Sequence, residues 1–215
     1  MLSQGAAAQE ADLAGRLADE AAAVAAVWKP QEINFYFQSF TTFYSCTSLA
    51  EKVKRTLLAL GAQRDIKVRS TGCEGGNEIA RMPMVRIRLT SPAEATPQTL
   101  AELEKTRSVR ELVARVRGER AAAIEAAAQF PAHWKRVSLS RGDLALDSGD
   151  CELVDELKRK VLPKLSVRIV RDAMRCTPNQ FTLGQPRLEV EALTAVPARM
   201  PDAAEAQVLR KNEES

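Results

Sequence analysis

Apolar and polar positions follow two rhythms along this chain, and one succession of those rhythms occurs twice. In the first pass Trp28-Lys29 opens a β-rich stretch from Ile33 to Tyr44. Cys46 then begins a segment in which Leu49, Val53, Leu57 and Leu58 recur at helical spacing, the mark of one buried helix face. Ile66 and Val68 alternate with polar neighbours, Cys73 follows, and Pro83-x-Val85-x-Ile87-x-Leu89 completes the pass. A period of two predicts strands with one face inward.

The second pass runs in the same order. Trp134-Lys135 opens it, a weaker strand spans Val137 to Leu146, and Cys151 starts a helix carrying Leu153, Leu157, Val161 and Leu162. Val167 and Ile169, then Cys176, then Pro186-x-Leu188-x-Val190-x-Ala192 follow. Lys54-Arg55 and Lys158-Arg159 sit at equivalent helix positions, and a single offset relates both Cys73 to Cys176 and Pro83 to Pro186. This shared order predicts an α+β fold of two tandem β-α-β-β units, each a helix on a small mixed sheet, joined by a linker helix.

The units are expected at residues 28–92 and 133–193, with the helical linker at 93–132. Within the linker, 97–130 carries an apolar stripe of Leu100, Leu103, Val109, Leu112, Val113, Val116, Ala123, Ile124 and Ala127, with Gly118 as a kink and Phe130-Pro131 as its end. Its arginines (107, 110, 115, 117 and 120) alternate with glutamates and read as a solvated surface. Residues 1–27 read as a polar, alanine-rich leader and 194–215 as a disordered tail, both expected to be dispensable for folding.

Composition narrows the class of protein. The 215 residues are 45% apolar and 27% charged, with net charge +3, which is mildly basic and short of a dedicated nucleic-acid binder. No nucleic-acid partner is expected, and no run of about 20 apolar residues predicts a membrane span.

The cysteines are more informative. Cys46, Cys73, Cys151 and Cys176 include no C-x-x-C pair, and the chain has one histidine, so a zinc site built from close ligand pairs is disfavoured. In a β-α-β crossover the helix starts where the first strand ends, and the next parallel strand finishes at that same edge. This predicts disulfides Cys46–Cys73 and Cys151–Cys176, each worth roughly 3–4 kcal/mol by the chain-entropy estimate.

Disulfides imply a periplasmic or secreted protein. Residues 1–27, however, are interrupted by Glu10, Asp12, Arg16, Asp19 and Glu20 and lack the apolar stretch of an export signal. A cytoplasmic protein with reduced thiols is the alternative.

From Trp28 to Leu193 the chain resembles a family of small exported proteobacterial proteins with two cysteine pairs. The resemblance rests on Phe-Thr-Thr-Phe-Tyr-Ser-Cys at 40–46, Leu60-Gly61-Ala62, Gly72-Cys73 and the downstream cysteines. It implies export and brings no activity with it.

Few residues suggest chemistry. Phe35, Tyr36, Phe37, Phe40, Phe43 and Tyr44 cluster in the first strand region and are expected chiefly as core. His133 lacks a metal or nucleophile partner in the sequence. Asp143, Asp147, Asp150 and Glu152 surround the second helix start without the order of a calcium loop, and Asp150 reads as a helix cap. Arg141-Gly142-Asp143 reads as a turn. The loop Cys73-Glu74-Gly75-Gly76-Asn77 lacks the Lys-Ser/Thr of a phosphate loop. No cofactor is implied.

Alternation turns Lys67, Arg86 and Arg88 away from the helix, whereas the equivalent third-strand positions of the second copy are Glu189 and Glu191. Two arrangements follow. In one the third strands lie close and Arg86 and Arg88 approach Glu191 and Glu189. In the other the copies are apart, and Lys67, Arg86 and Arg88 form a face for an anionic ligand. The sequence favours a non-enzymatic binding or structural module whose partner is such a ligand or an envelope protein. The alternative is an enzyme with its site in the cleft between the repeats.

Overall fold

Burial at the end of the first strand alternates residue by residue: Ile33, Phe35 and Phe37 are buried, while Asn34, Tyr36 and Gln38 are exposed. That rhythm belongs to a strand with one face on a core. In the computed structural model, which describes residues 23–73, 79, 82–116, 128–140, 144, 146–177 and 186–196, the strand is β1 (Val24–Tyr36). Helix α1 (Cys46–Ala59) follows, capped by Ser45, whose Oγ accepts the Ser48 N–H. Then come β2 (Lys67–Thr71), β3 (Met84–Glu94), α2 (Pro97–Val116) and β4 (Phe130–Leu139). A 3-10 turn (Ser148–Asp150) leads into α3 (Cys151–Lys160), and β5 (Val167–Asp172) and β6 (Leu188–Ala195) end the described fold.

The separate small mixed sheets expected do not form: all six strands join one sheet in the order β2-β3-β1-β4-β6-β5, because β3 and β6 insert between the strands that each crossover connects. Every neighbouring pair is antiparallel. Strands β1 and β2 therefore run parallel to each other with β3 between them, so the crossover through α1 steps over one strand. The β4-α3-β5 crossover likewise steps over β6. The centre of the sheet is held by a short join, Val24–Ala26 against Phe130–Ala132.

Cys46 opens α1 and Cys73 lies just beyond β2; the two pair with Cα atoms 6.0 Å apart. Cys151 opens α3 and pairs with Cys176, beyond β5, at 5.7 Å.

The apolar stripes of both helices meet the same side of the sheet. Leu49, Val53 and Leu57 of α1 share one buried cluster with Leu153 and Leu157 of α3, the nearby Val161, and Ile33, Phe35, Val85, Ile87 and Leu89 of the sheet. Val154 faces a second cluster with Leu60, Leu139, Leu188 and Val190. Gly61, at φ +88°, ends α1 where a Cβ would lie 2.7 Å from the Leu193 carbonyl oxygen, so only glycine allows this approach to β6.

Several expected boundaries move. The first strand begins at Val24 and ends at Tyr36, not Ile33 to Tyr44, so the strand enters the segment expected as a leader; Ala26 and Val27 are fully buried. After Phe37, whose N–H bonds to the Pro83 carbonyl, hydroxyls divert the chain: the Thr42 N–H donates to Ser39 Oγ, a local bond that competes with strand pairing. The strand expected over Val137–Leu146 is likewise Phe130–Leu139.

Phe130–Ala132 therefore belongs to a strand and not to the helix that was expected to reach it. The helix is described over Pro97–Val116, and Gly118, Ala123, Ile124 and Ala127 lie outside the described residues. At the far end β6 includes Thr194 and Ala195, and the Val196 N–H bonds to the Pro131 carbonyl.

A chain shortened to begin at Trp28 loses the whole β1–β4 join and two buried side chains. Its melting temperature should fall by more than about 5 °C relative to one beginning at residue 23. Equal melting of the two by circular dichroism would show that Val24–Val27 contributes no packing.

Candidate functional site

With Val68, Val85, Ile87, Ile33 and Phe35 turned toward the helices, the alternate residues of β2, β3 and β1 occupy the opposite face of the sheet. The register sets them in rows. Lys67 lies opposite Arg88, which lies opposite Glu32; Arg69 lies opposite Arg86, which lies opposite Asn34; Thr71 lies opposite Met84, which lies opposite Tyr36. Strands are spaced about 4.8 Å apart, and residues two apart along a strand about 7 Å, so four cations occupy one small field.

Among the described residues only one carboxylate answers them: Glu32 Oε2 is 3.4 Å from Arg88 Nε. Lys67, Arg69 and Arg86 are exposed and have no ion-pair partner among the described residues. Tyr36, 57% exposed, stands at the end of the field.

The corresponding face of the other half is balanced. Glu191 lies between Arg136 and Arg168, and Glu189 between Ser138 and Arg171, with Arg171 Nη1 3.9 Å from Glu189 Oε1. The expected approach of Arg86 and Arg88 to Glu191 and Glu189 does not occur. In the ladder β1 and β4 stand between β3 and β6, and among the described residues Arg88 meets Glu32 while Glu189 meets Arg171. The two halves are not apart, since they share one sheet, and Lys67, Arg86 and Arg88 lie together on its face away from the helices. Arg69 belongs with them and was overlooked, although the same alternation that marks Lys67 marks it too.

The acidic residues near α3 form a seam between the halves. Asp150, 2% exposed, accepts from Tyr44 Oη at 2.5 Å, from Lys52 Nζ at 2.7 Å and from the Asp147 N–H at 2.6 Å. Glu152 Oε2 accepts from the Ser39 hydroxyl, the Phe40 N–H at 3.0 Å, the Thr41 N–H at 3.3 Å and the Thr41 hydroxyl at 3.0 Å. Burial, aided by the Asp150 hydrogen bond and charge, pushes the Tyr44 phenol far above its ordinary value, so Tyr44 stays a donor. Among the described residues no three His, Cys, Asp or Glu side chains are arranged to hold a metal ion. Sequence spacing showed the carboxylates but not Tyr44, Lys52, Ser39, Phe40 and Thr41 as their donors, all more than 90 residues away.

The remaining candidates are soon placed. The half-buried His133 has its Nε2 3.3 Å from Thr194 Oγ1. Phe35, Phe37 and Tyr44 are buried, while Tyr36, Phe40 and Phe43 are exposed. Arg141–Asp143 and Glu74–Asn77 lie outside the described residues.

Between the halves is an open cavity of about 410 Å³ whose lining includes Lys29, Gln31, Glu94, Trp134 and Arg168. Arg168 pairs with Glu94 at 2.9 Å and stacks 3.7 Å from the Trp134 ring centre, and Lys29 pairs with Glu102 at 2.9 Å. Lys29 holds Glu102 below its usual carboxylate range.

No family model, curated protein or solved structure matches the chain.

Replacing Tyr44 by Phe removes a donor from a buried carboxylate and should cost about 1–3 kcal/mol, read as a fall in the denaturation midpoint at neutral pH. The native phenol is raised above the unfolded value of about 10, so stability is lost as pH rises past that value and the unfolded phenol ionises. Y44F should lack this part of the alkaline loss. An unchanged midpoint and an unchanged alkaline limb would remove Tyr44 from the seam.

Proposed function

We propose that the protein is a non-enzymatic binding module acting outside the cytosol, and that it takes an anionic ligand on the sheet face of Lys67, Arg69, Arg86 and Arg88. One observation carries this reading: Lys67 opposes Arg88 and Arg69 opposes Arg86 directly across the β2–β3 ladder. Like charges placed opposite are unfavourable, by roughly 0.2–1 kcal/mol per pair. A bare face that concentrates such pairs raises the local concentration of anions and steers them inward.

Two further features support the setting. Both halves carry a disulfide between the helix start and the residues beyond the second strand, the chemistry of an oxidising compartment and in keeping with the resemblance to exported proteins. The strand orders β2-β3-β1 and β5-β6-β4 are alike about the central join, which supports descent from one duplicated β-α-β-β unit. On that reading the basic field is where the first copy diverged from the second, whose face is neutralised.

Heparin serves as a non-peptide polyanionic probe. The oxidised protein should bind it in a salt-sensitive manner, because exposed charges are screened. The R86E/R88E variant should bind at least about tenfold more weakly, while R136E/R171E, on the balanced half, should change affinity little. Equal heparin affinity of R86E/R88E and the parent chain would overturn the assignment.

A further inference from the structure

We infer that the ligand of this face is an extended acidic polypeptide segment that joins the sheet along the open edge of β2, an inference that rests on reading the face as an anion site. Among the described residues strand β2 pairs with β3 alone and ends the sheet. Among the described residues no backbone group bonds to its outer side. An edge of free N–H and C=O groups is a template for one more strand.

The two edges of this sheet differ. On β5 the register shifts between Ile169 and Arg171, and such a bulge spoils the even spacing a new strand needs. On β2 the register is unbroken from Lys67 to Thr71, and the strand Lys-Val-Arg-Ser-Thr contains no proline. Its protection is charge, and protection by charge is selective. The β2 of a second copy would set Lys67 and Arg69 against the same two cations. A strand with carboxylates at alternate positions would set them beside Lys67 and Arg69 at the cross-strand distance of about 5 Å, where opposite charges attract.

The intervening residues of the incoming strand would sit beside Val68 and Ser70, which are half-buried, so small or apolar side chains suit them. Arg86 and Arg88, one strand further in, add to the field. The edge is also fixed in advance. Gly72, at φ 97°, turns the chain out of the strand, and the next residue, Cys73, is tied to the first residue of α1. A preorganised edge has little ordering cost on binding.

The test uses the full, oxidised chain and short peptides that alternate Glu with Ala or Val. Fluorescence anisotropy reads the parent peptide, two versions N-methylated on one or the other alternate set of backbone nitrogens, and heparin as the non-peptide polyanion. The parent peptide should bind. One N-methylated version should lose at least about tenfold in affinity and the other little, because only alternate amides face the sheet. K67E/R69E should weaken the acidic peptide by at least about tenfold and bind a Lys-alternating peptide instead, a gain that misfolding cannot produce.

If both N-methylated versions bind as well as the parent, edge addition is wrong and the charged face stands. If heparin binds and no acidic peptide does, the same conclusion follows. If neither heparin nor peptide binds, the reading of the face fails as well.

Discussion

The buried core that α1 and α3 share governs this fold. A unit of one helix and three strands buries little apolar surface, and small domains of that kind seldom stand alone. Here neither helix serves only its own strands. Leu153 and Leu157 of α3 lie in the same cluster as Leu49, Val53 and Leu57 of α1, and Leu60, at the end of α1, lies in the cluster built on β4 and β6. The two halves consequently share one core, and a large-to-small change at Leu157 falls on both.

A shared apolar core leaves orientation loosely specified, because hydrophobic burial is non-directional. Direction comes from the polar seam beside it. Asp150 and Glu152, at the start of α3, take their donors from the loop and helix of the other half, and acidic groups near a helix N-terminus are favourably placed against its dipole. The seam also explains the bend after Phe37. Residues 39–44 leave the sheet because Ser39, Thr41 and Tyr44 are needed where the carboxylates are.

What the sequence discloses is what depends on local spacing. Both helical stripes, the third strands and the cysteine partners were legible because periods of 3.6 and 2, and the handedness of a crossover, act over short distances. The start of β1 was hidden: Ala26 and Val27 are both buried, without alternation, and Ala26 is covered by Ala132 of β4 and Leu193 of β6. Sheet order is also invisible to local pattern, which is why Arg86 and Glu191 were open to pairing on paper and lie on separate strands of the sheet. The basic face was legible in three of its four cations. The donors to Asp150 and Glu152 were not, since nothing near either carboxylate in the chain announces Tyr44, Lys52 or Ser39.

The two disulfides stand at the opposite borders of the sheet. Strands β2 and β5 each have a neighbour on one side only, and they are the strands next to Cys73 and Cys176. The interior strands are gripped from both sides and carry no covalent tie. Unravelling of such a sheet starts at its margins, where the fewest hydrogen bonds must break, and the bridges work as selvedges there. In a reducing medium the margins would be the first to loosen while the middle still held, and β2 would lose the rigidity that makes its outer side a template. Thiol chemistry would thus reach the binding edge without touching any residue of the basic face.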